Sequence, residues 1–266
     1  MALTASYGPD DQVVDLTLPD LGIGLSFENM AHGDARLRCR FCPADLRAAV
    51  TARGNRYFAH PAATRCPFAD DSAEYLDLAA ALTRSSRAGG WHTEPEHRAE
   101  NRVADVLSTA ADGCRIAWMI QRDRQTPEQA ADRSGSYRRE GVECVWIAVG
   151  DEDAAWHRPH GALVTTPVHP GTGRRGWTVI SGCRKHHVTT VDGAERGSWA
   201  DVGQPLELDA IAREILRGRL VPYPQHRYGG LPWWWVRVDE RAHAHRRGTG
   251  VEDVRAERVR SARTRR

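Results

Sequence analysis

The pair Cys39-x2-Cys42 followed by His60-x5-Cys66 constrains this chain more than any other feature of its sequence. A Cys-x2-Cys step lets a tight knuckle aim both thiolates at one ion, and a distant His/Cys pair can complete a tetrahedron around Zn2+. The competing reading of the same spacing is a set of scattered buried cysteines beside a surface histidine. Compartment decides between them. No apolar run approaches the roughly 20 residues a bilayer needs. Asp10 and Asp11 stand where a secretory leader would need a basic and then an apolar stretch. The expected location is therefore the cytoplasm. In a reducing compartment six cysteines, at 39, 42, 66, 114, 144 and 183, do not make a disulfide framework. Clustered cysteines then hold metal. Four protein ligands leave no open position, so the Zn2+ would be structural. The Ala-rich segment between the pairs, with an Arg-Gly-Asn turn at 53 to 55, reads as a small hairpin or treble-clef loop too short to fold without its ion.

With 266 residues, 41% of them hydrophobic, the chain can bury one sizeable core or two modest ones. Lys185 is the sole lysine among 37 basic residues, a compositional bias that weakens any argument from arginine richness alone. Beyond the cysteines the pattern turns helical. Asp71 is placed to cap, Glu74 stands at the third helical position of a capping box, and Tyr75, Leu78, Ala79 and Leu82 repeat at helical spacing, predicting a helix over about 72 to 84. Residues 102 to 108 and 115 to 121 read as strands joined through Ala111-Asp112-Gly113. A two-residue turn would pair Asp105 with Ile120. A three-residue turn with Gly113 in the left-handed position pairs Asp105 with Met119, and is favoured. Thr126, Pro127 and Gln129 open a second helix that Gly141 stops, and 142 to 149 is a further apolar strand. A strand, helix, strand unit of this length calls for a right-handed crossover and parallel pairing. The expected fold class is α/β (α+β): a mixed sheet with flanking helices and a small N-terminal zinc-binding subdomain.

The ordered set Cys39-x2-Cys42, Tyr57-Phe58-Ala59-His60, Cys66, a helix containing Glu74, Arg102-x2-Asp105-Val106, Ile120-Gln121, Arg133-x3-Tyr137, Gly141 and Val145-Trp146-Ile147 resembles the competence-protein CoiA-like family. The similarity continues through Trp199, Leu206 and Gly218-Arg219-Leu220-Val221-Pro222, and so spans roughly residues 37 to 225. The resemblance implies an N-terminal zinc-binding segment joined to a restriction-endonuclease-like nuclease domain of the PD-(D/E)XK type. It also implies a catalytic set of Asp105, Gln121 and Glu74 and a Mg2+ or Mn2+ requirement wherever that set is active. Such nucleases place one or two Mg2+ ions on carboxylates at the bent end of a hairpin, with a lysine or glutamine to position water or stabilise charge.

This sequence departs from the family pattern at Met119, where a glutamate is expected; a thioether is a poor ligand for a hard cation. Tyr75 stands where the family tends to have histidine, and Ala79 near its usual lysine. Glu94, Glu96 and Glu100 before the first strand, or Asp123 after the second, are candidates to supply the missing oxygen. The plain alternatives are an exposed strand-end carboxylate at Asp105, a helix-capping role for Glu74 and a positional Gln121.

Residues 151 to 175, rich in His, Pro and Gly, read as a loop, 176 to 180 as a strand, and 206 to 216 as an amphipathic helix ending near Gly218. Cys183-x2-His186-His187 has the start of a second metal motif with no fourth ligand in sight, so a polar loop is the favoured reading. Trp233-Trp234-Trp235 is expected to dock on the core rather than stack on unpaired bases. From Arg237 to Arg266 ten arginines face five acidic residues, as in a solvated, poorly ordered tail that would also bind phosphate without sequence preference. The expected domains are a zinc-binding segment at 1–70, a nuclease core at 71–150, an α/β extension at 151–236 and the basic tail at 237–266. Three readings follow: a DNA-binding CoiA-like protein with a degenerate nuclease site, an active metal-dependent nuclease in DNA uptake, recombination or defence, and a zinc-containing module for protein partners.

Overall fold

The computed structural model describes residues 1–32, 36–51, 54–61, 64–66, 71–99, 102–121, 126–150, 162–167, 176–224 and 233–246. It is a mixed α+β chain of several sheets and few helices, divided into two units, Met1–Arg122 and Asp123–Arg266.

The first unit begins with β1 (Thr4–Tyr7), β2 (Gln12–Asp15), α1 (Phe27–His32), β3 (Leu37–Arg38), β4 (Asp45–Val50) and β5 (Arg56–Ala59). These strands make one antiparallel sheet in the order β2-β1-β3-β4-β5. The cysteine segment was expected to be a small hairpin or treble-clef loop, too short to fold without its ion. The hairpin is present as β4 and β5, but it continues a sheet that the first fifteen residues complete, and the result has its own core of Ala2, Val14, Leu21, Met30, Leu37, Leu46 and Phe58. Those N-terminal strands are too short and too mixed in composition to show a clear period, so their burial is set by the partners they meet.

Then come α2 (Ala73–Ala88), β6 (His92–Ala99), β7 (Arg102–Thr109) and β8 (Arg115–Ile120). Helix α2 buries Tyr75, Leu76, Leu78, Ala79, Ala80 and Leu82, the stripe its spacing predicts. Its cap differs from the expectation. Ser72, in extended conformation, is the N-cap and accepts from the Tyr75 N–H, which puts Glu74 at the second helical position rather than the third and leaves no Asp71 capping box. Strands β6, β7 and β8 pair antiparallel. The β7–β8 turn holds three residues, with Gly113 at φ 85° and the Ala110 N–H donating to the Cys114 carbonyl at 2.8 Å. Val106 faces Trp118 and Thr109 faces Arg115, and the same register sets Asp105 opposite Met119, as the turn chemistry predicts. Five of the six β8 residues are buried, the mark of a strand covered on both faces. The buried indole of Trp118 donates to the Ser108 hydroxyl at 3.1 Å.

The second unit opens with α3 (Pro127–Arg139), whose Thr126–Gln129 capping box is formed on both sides. β9 (Val142–Val149) pairs parallel with β10 (Leu163–Pro167); β11 (Trp177–Ser181) adds antiparallel to β10. Strand β10 lies inside the stretch read from sequence as a loop. Its Leu163 and Thr165 are buried against β9 and β11, a tertiary environment that the surrounding His, Pro and Gly composition conceals. On α3 the Ser134 hydroxyl accepts from the buried Trp146 indole of β9 at 2.8 Å, and the Arg133 guanidinium lies 5.5 Å from that ring.

β12 (Arg184–Val191) and β13 (Ala194–Asp201) form a two-stranded ribbon. β14 (Leu206–Glu207) then pairs with β11 and leads into α4 (Leu208–Leu216), so the expected helix starts two residues late because its first two positions extend a sheet. β15 (Leu220–Pro224) and β16 (Trp233–Arg237) pair, and α5 (Val238–Arg246) follows. Trp234 and Trp235 are each only 4% exposed, so these indoles dock on the core and are not a stacking surface. Residues 237 to 246, expected to be disordered tail, are instead the end of β16 and helix α5; the rest of that tail lies outside the described residues. No helix among the described residues is long and apolar enough to cross a membrane.

Gly182 marks the tightest backbone approach. It has φ 100°, and a Cβ there would meet the Ala162 carbonyl oxygen at 2.7 Å. Gly182→Ala is expected to cost about 1–3 kcal/mol in denaturant unfolding, because both the conformation and the neighbouring backbone resist a side chain.

Candidate functional site

The four residues Cys39, Cys42, His60 and Cys66 converge, and their ligand atoms lie within 4.8 Å of one another. The β3–β4 turn supplies Cys39 and Cys42, closed by the Cys39 N–H donating to the Ala44 carbonyl at 2.9 Å. The end of β5 supplies His60 and the loop beyond it Cys66. The Cys39 and Cys66 sulfurs are 3.8 Å apart. Two thiolates bound to one tetrahedral ion at about 2.3 Å have that same separation, about 3.8 Å. The Phe41 N–H points at the Cys39 sulfur from 3.3 Å, as in a metal knuckle.

Two electrostatic observations fit a cation. Both ring nitrogens of His60 are buried without a protein hydrogen-bond partner, which is costly unless one of them binds an ion. Burial, and then the charge of the chain's N-terminal ammonium, lowers the His60 pKa and favours the neutral imidazole that ligates metal. Burial likewise raises the Cys39 thiol, so without an ion it stays protonated; a bound cation reverses that balance. The cluster can hold a metal ion, and three thiolates with one imidazole form a closed set.

The carboxylate constellation is arranged differently. Asp105 is fully buried on β7. Its Oδ1 accepts from the Tyr75 hydroxyl of α2 at 2.9 Å, and its Oδ2 from the Ile120 N–H of β8 at 2.7 Å. Met119, opposite it, is fully buried. Glu74 lies one residue before Tyr75 in the first turn of α2, and Gln121 follows Ile120 at the end of β8. The three elements do meet, through Tyr75, Asp105 and Ile120. Among the described residues Asp105 has no two further His, Cys, Asp or Glu side chains within ligand distance.

The candidate replacement oxygens have other duties. Glu96 is fully buried at φ 53°. Its Oε1 accepts from the Leu3 N–H at 2.8 Å, and its Oε2 from the Thr4 N–H at 3.0 Å and the Thr4 hydroxyl at 2.7 Å. It thus clamps strand β1 beside β6. Glu94 lies between two imidazoles, 2.8 Å from His97 Nδ1 and 3.0 Å from His92 Nε2. Those contacts, His97's hydrogen bond first, pull its pKa down to about 2. Glu100 and Asp123 lie outside the described residues. The β1 clamp was missed because no local pattern distinguishes a carboxylate that satisfies a distant strand's N–H groups from an exposed one.

No family model, curated protein or solved structure matches this chain.

Proposed function

We propose that this chain is a zinc-stabilised, restriction-endonuclease-like protein of the CoiA-like type that works in the cytoplasm, binds DNA without sequence preference and has a lapsed hydrolytic site. The observation that carries the reading is Asp105. A metal-dependent nuclease needs this carboxylate free to present lone pairs to Mg2+ or Mn2+ at an open strand end. Here it is fully buried, both oxygens accept protein hydrogen bonds, and the facing side chain is a thioether. The residues around Asp105 do not suit a hard divalent cation, and no hydrolytic step is assigned to them. Cys39, Cys42, His60 and Cys66 would hold Zn2+ as a cross-link between the β3–β4 turn, the end of β5 and the following loop.

DNA binding rests on charge. Residues 247 to 266 carry seven arginines against three acidic residues. Such a segment neutralises phosphates and releases counterions, so the affinity should fall steeply with salt. The test is a salt titration of DNA binding by fluorescence anisotropy, on the full chain and on a chain ending at Arg246. The truncated protein is expected to bind more weakly and with a flatter log-log slope, by up to about 0.9 for each phosphate it no longer neutralises. Equal slopes would remove the tail from the interface. In parallel, the full chain with Mg2+ or Mn2+ is expected to leave single- and double-stranded DNA uncut. Robust cleavage by the wild type that disappears in both Asp105→Ala and Asp105→Asn would overturn the lapsed-site reading in favour of an active nuclease.

A further inference from the structure

The step Cys183-x2-His186-His187, expected to be a polar loop, runs instead into strand β12, because β13 returns beside it and pairs its backbone. Cys183 is buried, and burial pushes its thiol up to about 12, far from the thiolate a metal requires. Alternation along the ladder gives the β12–β13 ribbon two unlike faces. The register pairs Arg184 with Asp201, His186 with Trp199 and Thr190 with Glu195, so these residues share one face. That face is docked at its root. The Arg184 guanidinium lies 3.8 Å from the centre of the Trp234 ring of β16, and its Nε donates to Asp201 at 3.0 Å. The His186 ring packs on Trp199 at 4.9 Å and meets helix α5 at His243, while its backbone N–H donates to Glu240 at 3.4 Å. The Trp235 N–H donates to the Gly182 carbonyl at 2.8 Å, so β16 anchors a two-stranded ribbon that would be marginal alone in water.

The other face is open. On it Lys185 stands opposite Ala200, His187 opposite Ser198 and Thr189 opposite Arg196 in the ladder. Lys185, His187, Thr189, Ser198 and Ala200 are all exposed. The side chains of Lys185, His187 and Ser198 have no hydrogen-bond or ion-pair partner among the described residues. No acidic residue of either strand falls on this face, because Glu195 and Asp201 both belong to the docked one.

We propose that this open face of the ribbon binds the sugar–phosphate backbone of duplex DNA. The proposal rests on the reading that the chain binds DNA, and it adds a contact from the folded part of the chain to that of the basic tail. Charge complementarity carries it. Lys185 brings an unpaired ammonium to the face, and His187 and Ser198 bring ring and hydroxyl donors, the groups that contact phosphate oxygens without reading sequence. The carboxylates that would repel phosphate lie on the side already turned to β16 and α5. That segregation favours a ribbon lying along the backbone, since insertion into the major groove would bring Glu195 against phosphates as well. Duplex is favoured over unpaired strands because the face has no Phe, Tyr or Trp on which splayed bases would stack.

Lys185 is the sole lysine of the chain, so acetylation of its ε-amine by a succinimidyl ester, located by mass spectrometry, reports on this face alone. Saturating duplex DNA is expected to slow that acetylation several-fold in the full chain. In a salt titration of the full chain, Lys185→Ala should flatten the log-log slope by about 0.9 and weaken binding by up to about eightfold near 0.1 M salt, the loss of one neutralised phosphate. Thr190→Ala, on the docked face, should leave both unchanged. A full chain that binds no DNA removes the DNA-binding reading and this contact with it. A chain that binds DNA while Lys185 is acetylated at its free rate and Lys185→Ala keeps the wild-type slope overturns the ribbon contact alone. Equal protection of Lys185 by single-stranded DNA or by poly-glutamate also overturns it, assigning the face to unpaired strands or to an acidic polypeptide.

Discussion

Cys42→Ser protein is expected to lose its tightly bound metal, from close to one equivalent per chain to almost none, and with it the cooperative unfolding of the N-terminal sheet. The magnitudes favour a large effect. Structural Zn2+ sites contribute about 10–16 kcal/mol of apparent binding free energy near neutral pH, whereas a whole domain is stable by only about 5–15 kcal/mol. Removing one thiolate leaves Cys39 and Cys66 as buried thiols and the His60 nitrogens without a partner. The sheet has its own apolar core, so partial structure can survive, and metal content and stability must be read together. Elemental analysis gives the stoichiometry; thermal unfolding with and without a chelator gives the coupling. A metal-free wild-type protein that melts like the metal-bound one would show that the cluster does not hold this sheet together. Acidification should strip the ion for the same reason chelation does, since proton uptake by the thiolates and His60 competes with the cation.

The second large effect concerns Asp105, and it is expected in stability rather than activity. Asp105→Ala takes away the acceptor for two buried donors, the Tyr75 hydroxyl and the Ile120 N–H. Each group left unsatisfied costs about 1–3 kcal/mol, and the vacated volume adds to that. The urea midpoint should fall clearly with an unchanged slope. Asp105→Asn keeps one carbonyl acceptor and should fall between the two. Tyr75→Phe combined with Asp105→Ala should cost less than the sum of the single changes, because both remove the Tyr75–Asp105 hydrogen bond. Wild-type stability in Asp105→Ala would refute the structural role. The outcome also bears on any nuclease assay, where loss of function in Asp105→Ala alone could be loss of fold. Met119→Glu would place a second carboxylate opposite Asp105 in a fully buried position, where it costs stability unless an ion accompanies it.

Much of the fold was legible where a local rule and the tertiary environment agree. The α2 stripe, the α3 capping box, the apolar β8 and β9 runs and the three-residue turn at Gly113 each have a sequence signature with a short-range cause. The cluster that can hold a metal ion was legible for a related reason: four soft or borderline donors in one short window have few other uses. Elements without a short-range cause were missed. Strands β1, β2 and β10 are brief and lack a clean period, and they exist because a neighbouring strand leaves its edge to be paired. Ser72 displaced Asp71 as the α2 cap because the better-placed hydroxyl, one residue on, reaches the Tyr75 N–H.

The sequence by itself therefore determined the candidate ligand cluster at Cys39, Cys42, His60 and Cys66, the main helices and the register that sets Asp105 opposite Met119. The tertiary structure decided which carboxylates face inward and what they touch. Asp105 is held by a tyrosine from α2 and a backbone N–H from β8, and Glu96 by a strand more than ninety residues away in the chain. The three-dimensional packing also replaced Cys183 and His187 by Glu240 and His243 as the neighbours of His186. Ligand spacing and capping act over a few residues and are written locally. The partner of a buried polar side chain is fixed only when distant elements pack, because a lone carboxylate has the same local pattern whether it meets water, an ion or another strand's N–H.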